Sequence, residues 1–300
     1  TIMSVILVIG SYILSIVAVI WIANRGFGPA TQGMRDLGHF LVEKAPGPLN
    51  DLLDDEEGLA SKMWMMAGAV WFFIASSIAF LAMWQEQNPD ALRAFEGFKY
   101  SYELLTMRQL AWTSMVMGAG SMFLLGGALH IVERIYERPL IGQRLAGLLS
   151  IAWSLLTILE IAFAFTSFSA EYVALSAPFT IQLFRFVILI PIFVCVALTI
   201  DSSNHTSIGP IGWHILFAFT GLLWALGASS LRLVFDSQEL SWMIGKAVEG
   251  WWLTSLSIAC LLYVVPAETS GRVWSKTLAY TGVVGIAFTI TPFGSHTSIA

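Results

Sequence analysis

The chain reads as an all-α, polytopic transmembrane bundle of about eight helices. Hydrophobic residues make up 57% of it and charged residues only 12%, where soluble domains run near 45–50% and about 25%. Its mean hydropathy is +0.75. Eight stretches also reach the roughly 20 apolar residues that a helix needs to cross a bilayer core. They fall at about 2–23, 62–84, 106–132, 144–168, 178–200, 210–235, 242–265 and 274–295. These runs do not alternate as barrel strands would, so each must satisfy its backbone within itself, as a helix.

Taken in order, residues 1–23 form an N-terminal transmembrane anchor. The first run has no small-residue cleavage site before its charged flank, so it is expected to be retained. The start TIMSV lacks an initiator methionine, and the chain stops just after an apolar run, as a piece of a longer chain would. Residues 24–61 form a cytoplasmic loop. Within it Met34, Leu37, Phe40 and Leu41 recur at helical spacing between polar residues, which predicts a short helix on the membrane surface. The acidic run DLLDDEEG at 51–58 lacks the ligand spacing of a calcium loop and reads as a solvated segment. Residues 62–300 form a seven-helix membrane core.

Lys and Arg are distributed unevenly between the two sides. The loops 24–62, 133–144, 201–209 and 266–276 hold Arg25, Arg35, Lys44, Lys62, Arg134, Arg138, Arg144, Arg272 and Lys276; the opposite side holds only Arg93, Lys99 and Arg108. This bias puts the first set in the cytoplasm and the N-terminus outside. Trp21, Trp64, Trp84, Trp242, Trp251, Trp252 and Trp274 sit near span ends, and most of them read as headgroup-belt residues. Pro191 predicts a kink in the fifth span. Gly118, Gly120, Gly126 and Gly127 predict close helix packing in the third.

Ionisable groups inside the spans carry the functional expectations, because a charge in hydrocarbon needs a partner, water or a purpose. By helix rise Glu160 lies about 12 Å from the outer end of its span, and Arg185, on the next helix, about 10 Å from the same side. The two are expected to pair. Glu249 also lies about 10 Å deep, whereas Lys246 and Arg232 sit closer to the edge, where they can snorkel. The structural reading is a set of internal salt bridges. The functional reading is a polar cavity for a proton, a quinone or a cofactor propionate, formed by Glu249, Lys246, Glu160, Arg185 and Arg232.

His39 and His205 fall in loops, His130 and His214 near cytoplasmic helix ends, and His296 at the outer end of the last span. A haem between His130 and His214 is geometrically conceivable; interfacial polar residues are the alternative. Cys195 and Cys260 are isolated, without metal or disulfide spacing. No phosphate loop or nucleophile triad is present, and the net charge of −5 points to neither nucleic acid nor a strongly charged substrate.

Several stretches resemble subunit I of the haem–copper oxidase superfamily, nearest the large subunit of nitric oxide reductases and the C-type oxidases. LTMRQLAWTSMVMGAGSMFLLGGALHIVERIYERPL at 105–140 resembles the family's second core helix. Arg108 matches there, but Ala111 stands where a haem-ligating His is expected. Glu171-Tyr172 resembles the segment before core helix four. KAVEGWW at 246–252 resembles H-x-x-V-E-G-x-W of core helix six: Glu249 falls on the reductases' active-site glutamate, and Gly245 stands at the metal's His. FGSHTS at 293–298 resembles the G-H-H end of core helix seven, with Ser295 and His296 in place of the pair. The resemblance covers about 62–296, seven of the family's twelve core helices.

It implies a prokaryotic plasma (inner) membrane protein on a degenerate haem–copper-oxidase-like scaffold. Such a chain would be a non-catalytic subunit of a respiratory complex, partnered by other membrane and redox subunits and lipids, with a quinone or proton site. His130, His214 and His296 remain as candidate haem ligands, and no other metal site is expected. One alternative is a fragment of a catalytic terminal oxidase or nitric oxide reductase. Another, from the same buried charges, is a small-molecule or ion transporter.

Overall fold

A computed structural model describes residues 2–25, 29–44, 47, 56–90, 104–166, 179–203, 207–229, 238–269 and 275–289. Among these residues the chain forms nine helices and no strand. They are α1 (Ile2–Arg25), α2 (29–44), α3 (Leu59–Gln87), α4 (104–135), α5 (Gln143–Thr166), α6 (Phe179–Asp201), α7 (Pro210–Ser229), α8 (238–269) and α9 (Lys276–Thr289). Seven are long and apolar enough to cross a membrane: all but α2 and α9. The eighth expected span is described as the 14 residues of α9, and 290–295 lie outside the described residues.

Side-chain ties show how the long helices alternate. The start of α3 meets the start of α5, where Gln143 Oε1 accepts from the Leu59 amide at 3.0 Å and the Trp64 indole donates to Ala146 O at 2.8 Å. The end of α6 meets the start of α5, where the Ile141 amide donates to Thr199 Oγ1 at 3.0 Å. The starts of α7 and α9 meet through His214 Nε2 and Ala279 O at 3.1 Å. One end of the bundle therefore holds the starts of α3, α5, α7 and α9.

α2 is fastened to that end, called here the α2 end. Arg35 pairs with Asp201 at the close of α6. Gly38 lies against Val194 and Leu198, and Val42 sits where a Gly142 side chain would be. Leu37, Phe40 and Leu41 stay exposed on the other face, the division expected of a helix lying along a membrane surface. The last five residues, Phe40–Lys44, widen into a π turn. His39 therefore lies in a helix and not in a loop, with Nδ1 3.4 Å from Glu43.

The centre of the bundle is α7. In its span 78% of residues are buried, against 11% for α1. α1 nonetheless packs on the bundle through one stripe. Tyr12 stands edge-on to Trp224 and Trp251 at ring separations of 5.6 and 5.3 Å, and the Trp224 indole donates to Ser11 Oγ at 3.2 Å. α6 runs through Pro191 without a break.

Glycines let α4 approach its neighbours. A Cβ on Gly118 would meet the Trp71 ring at 2.9 Å, and one on Gly126 would meet Met65 Cγ at 2.8 Å. Lipid tails are as apolar as the core, so helices associate by close packing and hydrogen bonds. The expected small-residue packing is present.

Candidate functional site

Three places carry polar chemistry inside the spans. The first is between α5 and α6. Glu160 and Arg185 each lie six residues from a helix end, about 9 Å at helical rise, and the two form an ion pair. Both are buried, at 3% and 0% exposure. Arg185 Nη2 also donates to Thr157 Oγ1 at 3.3 Å, and that hydroxyl donates to Trp153 O at 3.0 Å. The guanidinium carbon lies 5.6 Å from the Trp153 ring centroid, a cation–π distance. Trp153 Nε1 in turn donates to Met117 O of α4 at 2.7 Å. The ion pair is thus wired through α5 into a third helix. Gln182, one turn from Arg185 on α6, is also buried.

The second place is the contact of α4 with α8. Each of these parallel helices contains a seven-residue π segment, Ser114–Gly120 in α4 and Ala247–Leu253 in α8. π turns insert a residue into the helical ladder and are frequent at functional positions. In both helices the residue after the segment carries a hydroxyl that donates to the carbonyl five residues back. Ser121 Oγ reaches Val116 O at 2.7 Å, and Thr254 Oγ1 reaches Glu249 O at 3.0 Å. Two indoles join the helices: Trp252 Nε1 donates to Ser121 Oγ at 2.9 Å, and Trp112 Nε1 to Glu249 Oε1 at 2.8 Å. The first link is buried. The second is at the bundle surface, where Glu249 and Lys246 are both exposed. Near the start of α4, Arg108 pairs with Glu86 of α3 at 2.7 Å.

The five expected site charges are therefore not one described cluster. Glu160 and Arg185 meet inside α5–α6. Glu249 and Lys246 face outward on α8, and no described ion pair or hydrogen bond links either of them directly to Glu160 or Arg185. Arg232 lies outside the described residues.

The third place is His214, buried on α7 with Nε2 donating to Ala279 O. Among the described residues Nδ1 has no hydrogen-bond partner. His130 is half-buried on α4, and no hydrogen bond is formed between the two histidines. His205 and His296 lie outside the described residues, as do Glu171, Tyr172 and Ser295. Cys195 and Cys260 are free thiols. The described residues do not fit a binuclear metal centre: no group of three or more His, Cys, Asp or Glu among them could hold a metal ion. One ring nitrogen of His214, Nε2, is taken by the Ala279 carbonyl.

Several buried residues carried little signal in the sequence. Trp64, Trp251 and Trp252 were expected in a headgroup belt, yet all three are fully buried. Trp251 seats its ring on Gly221, whose Cβ would meet it at 2.5 Å, so a glycine on the facing helix and not depth decides its place. Trp21 and Trp84 are exposed as a belt requires, and Trp242 is half-buried; Trp274 lies outside the described residues. Thr157 and Gln182 could have been found, each being polar and three residues before a lone charge in an apolar run.

No family model, curated protein or solved structure matches this chain. The fold and its buried groups define a multi-pass helical membrane protein.

Proposed function

We propose that this chain is a membrane subunit of a respiratory or redox complex in a prokaryotic plasma (inner) membrane. In this reading it keeps a haem–copper-oxidase-like helical scaffold without the metal ligation and is not itself catalytic. It anchors other membrane and redox subunits and offers a proton or quinone site at Glu249 and Lys246. The excess of Lys and Arg at the α2 end supports an orientation with that end in the cytoplasm and the N-terminus outside.

One observation carries the reading: the Trp112–Glu249 hydrogen bond joins α4 and α8. These are the helices bearing the 105–140 and 246–252 resemblances, and the glutamate sits within a π segment. A carboxyl at intramembrane depth that faces outward needs water, a partner helix or a hydrogen-bonding ligand from the lipid phase. A quinone headgroup or an adjoining subunit supplies such a contact. Glu160 and Arg185 are assigned to holding α5 and α6 in register.

Extraction in mild detergent tests the proposal. It predicts recovery with subunits that carry haem, flavin or iron–sulfur groups. Recovery of the chain alone, with solute uptake when placed in liposomes, contradicts it and favours a transporter.

A further inference from the structure

The α5–α6 node holds more hydrogen-bonding capacity than the described residues satisfy. Gln182 is 1% exposed, and among the described residues neither its Nε2 nor its Oε1 has a hydrogen-bond partner. Arg185 is fully buried, and its Nε is likewise unpartnered. Glu160 Oε2 faces the guanidinium and accepts no aligned hydrogen bond. Gln182 and Arg185 are three residues apart, so they share one face of α6. That face looks onto α5, because Arg185 reaches Glu160 and Thr157 there. A buried amide with both ends unmatched is costly in an apolar medium, and native proteins meet such groups with ordered water.

We infer that Glu160, Gln182 and Arg185 form a hydration site within the membrane, holding ordered water between α5 and α6. The donor and acceptor set selects the ligand. Arg185 Nε and Gln182 Nε2 donate and Gln182 Oε1 accepts, while Glu160 Oε2 is held by the guanidinium. An anion would face the unmatched Gln182 Oε1 beside the Glu160 carboxylate, and a metal cation would face the guanidinium. A hydroxylic molecule that both gives and takes hydrogen bonds matches all three, and water is the smallest. It needs only two to four polar partners. Gln182 lies three residues from Arg185 toward the start of α6, about 4.5 Å nearer that end by helix rise. The amide thus extends the polar path from the ion pair toward the membrane face opposite α2.

This inference is independent of the role proposed for Glu249. Radiolytic hydroxyl labelling of the purified full chain in ¹⁸O-water tests it, because radicals formed from bound water mark side chains beside it. Trp153 lies under the Arg185 guanidinium and is shielded from bulk solvent. Wild-type Trp153 is expected to take up ¹⁸O as readily as exposed Trp84, and Gln182→Leu to lower that uptake severalfold. The same substitution should lower the Tm, because water loses its partners; a dry site would gain stability when the amide is removed. Unlabelled wild-type Trp153, uptake unchanged by Gln182→Leu, or a raised Tm overturns the inference. So does stoichiometric recovery of an organic hydroxyl compound from the wild type alone. The wild-type labelling stands by itself if the variant fails to fold.

Discussion

Trp252 donates its indole N–H to the hydroxyl of Ser121, 2.9 Å away on the neighbouring helix. The Ser121 hydroxyl in turn donates to Val116 O at 2.7 Å. A single hydroxyl thus satisfies both an incoming indole and a carbonyl inside a π segment. Trp252→Phe removes one donor and leaves Ser121 able to serve the carbonyl, so it should cost about 1 kcal/mol. Ser121→Ala strands a buried indole and leaves Val116 O with only the Ser121 backbone N–H, so it should cost about 2–3 kcal/mol. Reversible unfolding in mixed micelles measures both. Equal losses would show that the hydroxyl does not serve two partners.

Glu160 and Arg185 are buried together, and removal of one leaves the other charge uncompensated. Glu160→Ala alone should cost about 3–5 kcal/mol. The double substitution Glu160→Ala with Arg185→Ala should cost less than the single one, because no charge remains unpaired. A double-mutant cycle by unfolding measures the coupling; additive losses contradict the pairing.

Gly142 has φ +79°, a left-handed conformation that favours glycine, and Val42 occupies the space a side chain would need. Gly142→Ala should both strain the backbone and displace α2 from the end of α6. Cys195 reports on this directly, since its Sγ is 3.1 Å from the same Cβ position and the thiol is buried. In a Cys260→Ser background, maleimide labelling of Cys195 should be negligible with Gly142 and rise at least about tenfold with Ala, on the scale of a 1.4 kcal/mol local opening. Unchanged labelling would show that α2 is not anchored there.

The sequence carries most of the spans and one of the polar nodes. Hydropathy summed over some 20 residues survives local irregularity, so seven spans stand close to their expected positions. The Glu160–Arg185 pair was readable because two lone charges sit at equal depth on consecutive antiparallel helices. The π segments were not readable: one inserted residue leaves no trace in a run such as SMVMGAG or AVEGWWL. The tryptophans misled because an amphipathic ring suits either a headgroup zone or a buried carbonyl. Trp64 chose Ala146 O and Trp252 chose Ser121 Oγ, partners on other helices that spacing within one helix cannot reveal. For Glu249, counting residues gives a depth but no azimuth, and its outward exposure emerges only from packing.

Glu249→Gln retains an amide oxygen able to accept from Trp112, so it should preserve the α4–α8 contact and change stability by less than about 1 kcal/mol. If Glu249 exchanges protons or holds a quinone, turnover of the assembled complex should fall by at least about tenfold, or 1.4 kcal/mol in the barrier. Glu249→Ala should lose stability too, because the indole loses its acceptor. Wild-type turnover in Glu249→Gln would make the residue structural.

The function proposed above is that of a subunit built on an oxidase-like bundle without its own metal centre. Iron content and the reduced-minus-oxidised optical spectrum of the chain, separated from its partners, test it most directly. The account predicts no haem bands and substoichiometric iron in the separated chain, with haem, flavin or iron–sulfur signals confined to the companion subunits. Stoichiometric haem retained by this chain and lost on replacement of His130 or His214 would contradict it.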